Sequence, residues 1–570
     1  MTDLPAGGAG VRLRGATVVD GTGAPGYRAE VRVADGRIAE IVRDGPSANS
    51  HPGAGRSVDA DGLVLAPGFI DMHAHSDLAL LTEPEHLAKV SQGVTLEVLG
   101  QDGLSYAPVD DTTLADIRRQ IAGWNGDPPG FDWNWRSVGE YLDRLDASGT
   151  AVNACYLVPH GSVRMLVLGY DDRAPTPDEQ ARMKGLIRDG MAQGAVGMSC
   201  GLGYPPGMHA STAELIELCR TVAELGGFLA PHHRSYGAGA LDAYAEMIEV
   251  CRAAGCALHL SHATMNFGVN EGRAGELVAL LDAAIADGCD ITLDTYPYLP
   301  GSTTLAALLP SWTSAHGPAG VLRLLEDPAA CARIREQMEV VGSDGCHGVP
   351  TDWDTVRISG VGDAALAGRV VGRTVAEIAR ADGRAPFEVF RSLLLADRMA
   401  STILHLVGHE ENVRTIMRHP RHTGGSDGLL VGSRPHPRAW GTFPRFLGHY
   451  ARDLGVLGLE ECVAHLTGNA ARRLRLHDRG LIRPGHAADL VLFDPETVGD
   501  TATFDDPRRP AKGIEHVYVN GVAVLSQGRH TGATAGRALR RGSDGSVGVA
   551  PGVAGAGNKT SAAITRRSGA

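Results

Sequence analysis

Two histidines separated by one residue, His73 and His75, follow directly after an apolar run in the sequence. The run from Leu63 to Ile70 predicts a buried strand, so both imidazoles are expected just past its carboxyl end. Residues two apart on a strand share a face, and the two rings could therefore reach one cation. Two nearby histidines are more often packing or surface residues, so this pair alone does not establish a metal site.

Side chains of the same type recur at the ends of other predicted strands. Six candidate metal ligands lie at five strand ends: His73, His75, Asp102, His232, His262 and Asp427. Any one of them alone would more often be a packing residue, but together they occupy the end of a parallel sheet where chemistry is usually found. Imidazole nitrogens and carboxylate oxygens suit Zn²⁺ and related ions.

Two further residues leave alternatives open. His232 is followed by His233, so an error of one residue would exchange which ring faces the metal. Glu97 is a carboxylate within an otherwise apolar strand, which is costly unless it is paired or bound to a cation. We interpret Glu97 as a structural ion-pair residue or, as a weaker alternative, a metal ligand.

The elements that must position these side chains are short apolar strands alternating with amphipathic helices, which is the pattern of parallel βα units. Eight strands are predicted, at residues 63–70, 94–100, 152–158, 195–200, 227–231, 257–261, 290–295 and 422–425. Eight units predict an α/β fold, a TIM-like (β/α)8 barrel. The seventh and eighth strands are too far apart for one connection, which predicts an inserted lid subdomain at about residues 300–375.

Both ends of the chain contain short β-type runs separated by glycine-rich turns. Residues 1–66 and 476–538 are predicted to form one small β-sandwich from both termini, flanking a barrel at residues 67–475. After about Leu539 the sequence turns to glycine, serine, alanine and arginine with little apolar content. Residues 539–570 are therefore predicted to be a disordered tail.

Composition limits the class of protein. The chain has 570 residues, of which 43% are hydrophobic, and a net charge of -13, which argues against a nucleic-acid partner. Its nine cysteines include no C-x-x-C pair, as expected for reduced thiols in a cytoplasm. Signal-peptide features and membrane-length apolar segments are lacking. We expect a cytoplasmic enzyme without a membrane or nucleic-acid partner, and a homo-oligomer stays open.

Several longer runs resemble the N-acyl-D-amino-acid deacylase (D-aminoacylase) family of the amidohydrolase superfamily. The runs are Ala66-Pro-Gly-Phe-Ile-Asp-Met-His-Ala-His-Ser-Asp77, Gly201-Leu-Gly-Tyr-Pro-Pro-Gly207, Tyr296-Pro-Tyr298, Gly301-Ser-Thr-Thr-Leu305, Gly425-Ser-Asp-Gly428, His436-Pro-Arg-Ala-Trp-Gly-Thr-Phe-Pro-Arg445 and His486-Ala-Ala-Asp-Leu-Val-Leu-Phe-Asp494. The similarity extends from residue 11 to about residue 525.

The resemblance implies a metal centre that holds one or two Zn²⁺ ions or another divalent metal. His73, His75 and Asp427 would form one metal position, and His232 and His262 the second. Asp427 would also act as the general base.

The resemblance also implies substrate-binding roles for Arg438, Tyr296 and Ser302. Arg438 would hold the substrate carboxylate through its planar guanidinium, and the Tyr296 hydroxyl would stabilise the developing oxyanion.

This sequence departs from the family at two positions. Where the family has Gly-Asn-Cys-Gly with a ligating cysteine, this chain reads Gly100-Gln-Asp-Gly103, so Asp102 takes the place of the thiolate. A carboxylate is a harder ligand and can bridge two cations, which leaves metal preference and number open. Where the family has a lysine that helps to bind the substrate carboxylate, this chain has Thr264.

These features predict a metal-dependent amidohydrolase that cleaves N-acyl-D-amino acids to a carboxylate and a free D-amino acid. A bound metal would activate water, and Asp427 would move its proton to the leaving amine. Because Thr264 weakens the case for an amino-acid carboxylate, hydrolysis of cyclic amides or dipeptides is the alternative activity. A non-catalytic binding scaffold is a third interpretation, against which the retained histidines and aspartates argue.

Overall fold

The computed structural model describes residues 10–43 and 56–550. Its strands, in chain order, are β1 (Val11–Val18), β2 (Tyr27–Ala34), β3 (Arg37–Arg43), β4 (Arg56–Asp59), β5 (Val64–Pro67), β6 (Phe69–Asp71), β7 (Val94–Leu99), β8 (Asn153–Pro159), β9 (Gly197–Gly201), β10 (Phe228–His232), β11 (Ala257–Leu260), β12 (Ile291–Thr295), β13 (Gly301–Thr304), β14 (Val356–Gly360), β15 (Thr402–His405), β16 (His422–Gly424), β17 (Leu490–Phe493), β18 (Ile514–Val519), β19 (Val522–Ser526), β20 (Arg529–His530), β21 (Leu539–Arg541) and β22 (Val547–Val549).

The α-helices cover the outside of the barrel and build most of the insert. They are Ala79–Thr82, Leu87–Val90, Asp111–Gln120, Ala122–Asn125, Val138–Ser148, His160–Leu168, Pro177–Ala192, Thr212–Glu224, Ala240–Ala254, Ala274–Ala286, Gly317–Glu326, Pro328–Glu336, Ala364–Val370, Val375–Asp382, Pro386–Ala396, Glu410–Met417, Arg438–Arg445, Leu459–Ala464 and Ala470–Leu474. Within the described ranges, none of these helices combines the length and apolar character that a membrane crossing requires.

Local sequence accounts for where the helices begin. Thr176 accepts a hydrogen bond from the Glu179 backbone and Glu179 reaches back to the Thr176 backbone, so the two residues form a capping box. Pro177 occupies the first turn, where its missing N–H costs nothing. The helix Pro177–Ala192 therefore starts where these signals place it.

Eight parallel strands form the central sheet in the order β6, β7, β8, β9, β10, β11, β12 and β16. The first and last strands meet, because the Met72 N–H donates to Gly424 O at 3.0 Å and the Asp427 N–H donates to His73 O at 2.8 Å. The predicted TIM-like barrel is confirmed, and it closes at this seam between β6 and β16.

The barrel interior is an apolar core to which most strands contribute. Ile70, Leu96, Leu157 and Ala230 belong to this core and are almost fully buried. Strands such as β7 and β8 are buried along their whole length, as expected for parallel strands covered by helices on one side and by the core on the other. The carboxyl ends of all eight strands open on one side of this core.

The predicted first strand at residues 63–70 is wrong in one respect, because it is two strands. β5 pairs with β1 and β17 in the sheet built from the termini, whereas β6 pairs with β7 in the barrel. The chain changes sheets at Gly68, where an added Cβ would lie 2.2 Å from the Thr95 side chain. An unbroken apolar run contains no signal for such a change.

The terminal sheet contains nine strands, β1–β5 from the amino-terminal part and β17–β20 from the carboxyl-terminal part. Val31, Leu65, Leu490 and Tyr518 from the two parts share one buried core. The predicted small β-domain from both termini is confirmed, with its strands hydrogen-bonded as a single sheet.

The insert between β12 and β16 extends past the predicted boundary at residue 375. Its three-stranded sheet, in the order β13, β15 and β14, ends at His405. The helices Val375–Asp382 and Pro386–Ala396 look like barrel helices in sequence, but they pack with the helix Gly317–Glu326 around a separate core. The insert therefore has its own hydrophobic core.

The prediction of a disordered tail from residue 539 is wrong for its first part. β21 and β22 form an antiparallel pair, and Leu539 and Val547 contribute to the core at the amino-terminal end of the barrel. These two apolar residues pack in that core, although the average composition of the segment is polar. Residues 551–570 lie outside the described residues.

Candidate metal centre and active site

The structure brings together all six candidate metal ligands at the carboxyl ends of the barrel strands. They form two groups that share one residue: His73, His75, Asp102 and Asp427, and Asp102, His232 and His262. All six are buried. Sequence reasoning therefore placed these side chains in one site, and their arrangement was not visible from the sequence.

The distances between the carboxylate oxygens and the imidazole nitrogens fit shared cations better than hydrogen bonds, whereas the imidazoles of His232 and His262 are also close enough for a hydrogen bond. Asp427 Oδ1 lies 3.3 Å from His75 Nε2, and Asp102 Oδ1 lies 3.5 Å from His73 Nε2. His232 Nδ1 and His262 Nε2 are 3.1 Å apart. Tetrahedral bonds of about 2.0–2.2 Å separate two ligand atoms by about 3.3–3.6 Å. The donor set of imidazoles and carboxylates is one that Zn²⁺ and similar divalent ions accept.

Asp102 lies between the two groups. Its Oδ1 is 3.5 Å from both His73 Nε2 and His262 Nε2, and its Oδ2 is 3.5 Å from His75 Nε2 and 3.6 Å from His232 Nδ1. Burial acts to raise the pKa of Asp102, but the surrounding imidazoles hold it well below its ordinary value. Each oxygen of this ionised carboxylate thus lies near one histidine of the first group and one of the second. Such a carboxylate is suited to bridge two cations.

Three of the six residues have a left-handed backbone. The φ angles are 54° at Asp102, 32° at His262 and 47° at Asp427. Such angles are uncommon outside glycine and cluster at functional sites, where the surrounding structure must hold them. At Asp102 this support includes Asp77, whose carboxylate accepts from the Gly100 N–H at 2.9 Å.

Two supporting residues were missed by the sequence analysis. Asp294 accepts hydrogen bonds from the His262 N–H at 2.9 Å and lies 3.0 Å from His259 Nε2. The Tyr236 hydroxyl lies 2.9 Å from His262 Nδ1, so it orients the ring whose Nε2 faces Asp102. Asp294 could have been noticed in the sequence, because like Glu97 it is a carboxylate within an apolar strand. Nothing in the sequence indicated the role of Tyr236.

Glu97 lies in a buried ion-pair network outside the metal cluster. Its carboxylate is 2.8 Å from Lys89 Nζ and 2.7 Å from His86 Nε2, and Lys89 also pairs with Asp71 at 2.6 Å. Burial acts to raise the pKa of Glu97, but Lys89 and His86 lower it. The structural interpretation of Glu97 agrees with these contacts, and the alternative as a metal ligand does not.

The surrounding side chains show which of the two adjacent histidines, His232 or His233, faces the cluster. His232 faces the cluster, and Tyr204 packs against it with ring centroids 4.7 Å apart. His233 is buried between the rings of Tyr236 and Tyr244, each 4.1 Å away, and burial lowers its pKa well below its ordinary value. The ring that meets Asp102 is therefore that of His232.

A cleft of about 850 Å³, with its space open to solvent included, lies over the cluster and is bounded on its outer side by the insert. Its walls include Tyr296 and Ser302 from the start of the insert and Thr264 from the loop after β11. Burial raises the pKa of Tyr296 to about 12, so its hydroxyl stays protonated near neutral pH and can donate a hydrogen bond. Thr264 donates to Asn266 Oδ1 at 2.8 Å.

Arg438 lies behind the wall of the cleft and is fully buried. Its Nη2 is 2.9 Å from Asp427 Oδ2 and donates to Ser302 O at 3.4 Å, and its guanidinium carbon is 4.4 Å from the centre of the Tyr296 ring. Among the described residues, Nε and Nη1 have no hydrogen-bond partner. The structure thus brings Arg438, Tyr296 and Ser302, to which the resemblance assigns substrate binding, together beside Asp427.

Comparison with known proteins agrees with this architecture. Residues 56–525 match the model of the Amidohydrolase family. A D-aminoacylase of Alcaligenes xylosoxydans xylosoxydans is 36% identical over 93% of this chain and 97% of its own length. A solved D-aminoacylase with a binuclear metal centre superimposes with a TM-score of 0.78 at 36% identity, covering 93% of this chain and 99% of that one.

A second solved structure is an N-acyl-D-glutamate deacylase from Bordetella bronchiseptica with zinc and a phosphonate mimic of the tetrahedral intermediate. It is 34% identical with a TM-score of 0.77, over 93% of this chain and 99% of that one. The resemblance noted in the sequence motifs therefore extends over nearly the whole chain and its fold. On this basis the chain belongs to the amidohydrolase family, within the group formed by the N-acyl-D-amino-acid deacylases.

Proposed function

We propose that this protein is a metal-dependent hydrolase that cleaves the amide bond of N-acyl-D-amino acids, releasing a carboxylate and a D-amino acid. The observation that carries the proposal is the complete cluster of four histidines and two aspartates at the floor of a cleft, with the Asp427 carboxylate joined to Arg438. The relatives named above, which act on N-acyl-D-amino acids by name, support the substrate class.

One metal position would be held by His73, His75, Asp102 and Asp427, and the second by Asp102, His232 and His262. A divalent cation such as Zn²⁺ would supply a water of lowered pKa and would polarise the acyl carbonyl. The bridging position of Asp102 supports a site for either one or two ions.

Asp427 is the proposed general base. Burial acts to raise its pKa, but Arg438 and His75 lower it, so the carboxylate is ionised at neutral pH and can accept a proton. The protonated group can then deliver that proton to the leaving amine, which completes the proton transfer without another acid.

Arg438, Tyr296 and Ser302 are the proposed substrate-binding residues. The two guanidinium nitrogens of Arg438 without a protein partner are suited to a carboxylate. Tyr296, protonated near neutral pH, is suited to donate to the developing oxyanion. With Thr264 in place of a lysine, the substrate carboxylate depends on Arg438 alone for a formal positive charge from this set.

The experiment is a comparison of purified, zinc-loaded protein on N-acetyl-D-amino acids, their L-enantiomers, cyclic amides and dipeptides. We expect release of free amino acid from the D-series at the highest kcat/KM, and loss of this activity after chelation. Turnover of cyclic amides or dipeptides alone would favour the alternative activity to which Thr264 points. An absence of turnover in metal-loaded protein would favour a non-catalytic scaffold.

A cytoplasmic location is also proposed, and self-association into a homo-oligomer is kept as an open alternative. All nine cysteines, which lie in the described part of the chain, are free thiols, and this supports a reducing compartment. Cell fractionation and light scattering of the purified protein would test the location and the oligomeric state separately.

A further inference from the structure

A second cavity, of about 650 Å³ with its space open to solvent included, lies beside the cleft. The two share four wall residues, which we call the partition: Phe267, Leu308, His405 and Val407. Phe267 follows β11, Leu308 follows β13, and the other two lie at the end of β15. The partition therefore forms where the barrel meets the insert.

Phe267 has a backbone conformation that is otherwise almost restricted to glycine, with φ 65° and ψ 154°. The surrounding structure holds it there. Its N–H donates to Val407 O at 2.7 Å, and its carbonyl accepts from His409 Nε2 at 2.9 Å. Both partners belong to the segment after β15. These two hydrogen bonds therefore hold the strained residue against the chain that leaves the insert.

The conformation directs the Phe267 ring between the cleft and the second cavity. The ring centroid lies 5.2 Å from that of His405 and 5.6 Å from that of His347. Three rings from separate parts of the chain thus meet at the far end of the cleft. A bulky side chain at a position where glycine would relax the backbone indicates that the ring itself has a use.

The chemistry of the walls points to an uncharged, apolar group on the other side. Leu308, Val349, Pro350 and Val407 are among the residues around the second cavity, and the one carboxylate among its described wall residues, the exposed Asp352, would disfavour an anionic group. Burial lowers the pKa of His405 to about 4, so its imidazole is neutral near pH 7. Among the described residues that line either cavity, none is a lysine or arginine. An acidic substituent would therefore meet no formal positive charge there.

We propose that Phe267 is a specificity-determining residue whose ring ends the substrate cleft, and that the second cavity accepts a longer apolar substituent once this ring is removed. The inference rests on the proposed function and adds a size limit to it. The apolar substituent can belong either to the acyl group or to the amino-acid side chain, because both extend from the reacting amide.

The test uses full-length, zinc-loaded protein and the variants Phe267→Ala and Phe267→Gly. Glycine accepts the backbone conformation at position 267, so the second variant guards against loss of folding. Val269→Ala is the matched control, because Val269 lies on the same loop, is 47% exposed and lines neither cavity. Acyl length is varied from acetyl to octanoyl on D-alanine, and the side chain is varied from alanine to 2-aminodecanoate on acetylated substrates.

We expect the wild type and Val269→Ala to lose kcat/KM as one of the two series lengthens. Both Phe267 variants should raise the ratio of kcat/KM for the longest to the shortest member of that series by at least tenfold. The series that responds identifies the substituent. An unchanged ratio in both series, or a wild type without any length limit, would overturn the proposal.

Binding of butyrate and octanoate by calorimetry provides a readout that does not need turnover. If no N-acyl-D-amino acid is cleaved, the proposed function fails, while the size limit is still tested. The measured quantity is the ratio of the Kd for butyrate to the Kd for octanoate. This ratio should be at least tenfold higher in Phe267→Ala than in the wild type. An equal change for both probes would overturn the role of Phe267 towards the acyl group, and the same comparison of D-alanine with D-2-aminodecanoate tests its role towards the side chain.

Discussion

Arg438 and Asp427 are joined by a buried ion pair in which Nη2 lies 2.9 Å from Oδ2. The other oxygen of the same carboxylate, Oδ1, lies 3.3 Å from His75 Nε2. One carboxylate thus connects the guanidinium to the imidazole cluster. A substitution at Arg438 therefore affects the proposed general base as well as any substrate carboxylate.

These two effects of Arg438 can be separated by the choice of substrate. Arg438→Ala should lower kcat/KM for an N-acyl-D-amino acid by roughly tenfold to a few hundredfold, because a charge-assisted hydrogen bond is worth about 1.5–3 kcal/mol. For the corresponding neutral amide, kcat/KM should fall less, because this substrate lacks the carboxylate that Arg438 would bind. The exposed Arg434, on the same connection after β16, provides the control Arg434→Ala. Equal losses on both substrates would mean that Arg438 acts through Asp427 alone.

Metal content should depend on Asp102. Asp102→Ala should lose metal and activity together, because both groups of ligands share this carboxylate. Asp102→Cys should keep metal but bind softer ions such as Cd²⁺ in preference to Mn²⁺, since a thiolate is a softer ligand. Elemental analysis after equilibration with equal concentrations of both ions measures this preference. Full metal content in Asp102→Ala would contradict the bridging role.

Asp427→Asn should separate metal binding from proton transfer. An amide can still coordinate a cation through its oxygen, so much of the metal should remain bound. Turnover should fall by about 10²–10⁴-fold, the usual contribution of general acid–base catalysis. Single-turnover kinetics together with elemental analysis measure both properties, and activity near that of the wild type would rule out Asp427 as the base.

The Glu97 network should govern stability rather than metal content. Glu97→Gln removes one partner of a buried ion pair, which typically costs about 3–5 kcal/mol of the free energy of unfolding. Chemical denaturation measures this loss, and metal content per folded chain should be unchanged. Glu276→Gln, at the exposed pair between Arg273 and Glu276, is the control and should have little effect. Loss of metal from folded Glu97→Gln would instead make Glu97 a ligand.

The same network predicts a direction of pH dependence. Because the pKa of Glu97 is lowered in the folded protein, its contribution is fully present above the unfolded-state pKa of about 4.3 and is lost as the pH falls towards the folded value. Stability should therefore fall below about pH 4, and Glu97→Gln should reduce the slope of that fall. Identical slopes in both proteins would contradict the lowered pKa.

The sequence was sufficient to predict the barrel and all six cluster residues, because parallel strands place their carboxyl ends at one edge. His73 and Asp427 could be assigned to one site without knowledge of any contact between them. That Asp102 can bridge two cations was anticipated from its chemistry, but its position between the two groups of histidines could not be predicted in detail, because no sequence pattern indicates its left-handed backbone (φ 54°). Tyr236 reaches His262 through a loop, and loop conformation has no periodic signal.

The errors in the fold have a common physical origin. Val64–Pro67 and Phe69–Asp71 form one apolar run but belong to different sheets, and the helix Pro386–Ala396 is amphipathic but faces the core of the insert. Leu539 and Val547 are buried in a segment whose composition is mostly polar. In the first two cases the local pattern identified burial, and in the third it did not. In all three, tertiary structure decides which part of the protein buries the residues.

The seam between β6 and β16 joins parts of the chain that are far apart in sequence, since Ser426 Oγ donates to His73 O across 353 positions. Closing so long a loop has an entropic cost that the backbone bonds at the seam must offset. A cation held by His73 and His75 on one side and Asp427 on the other would act as a cross-link over that loop. The proposed cofactor would thus also hold the barrel closed, and the metal position that includes Asp427 is completed only when the eighth strand has been made.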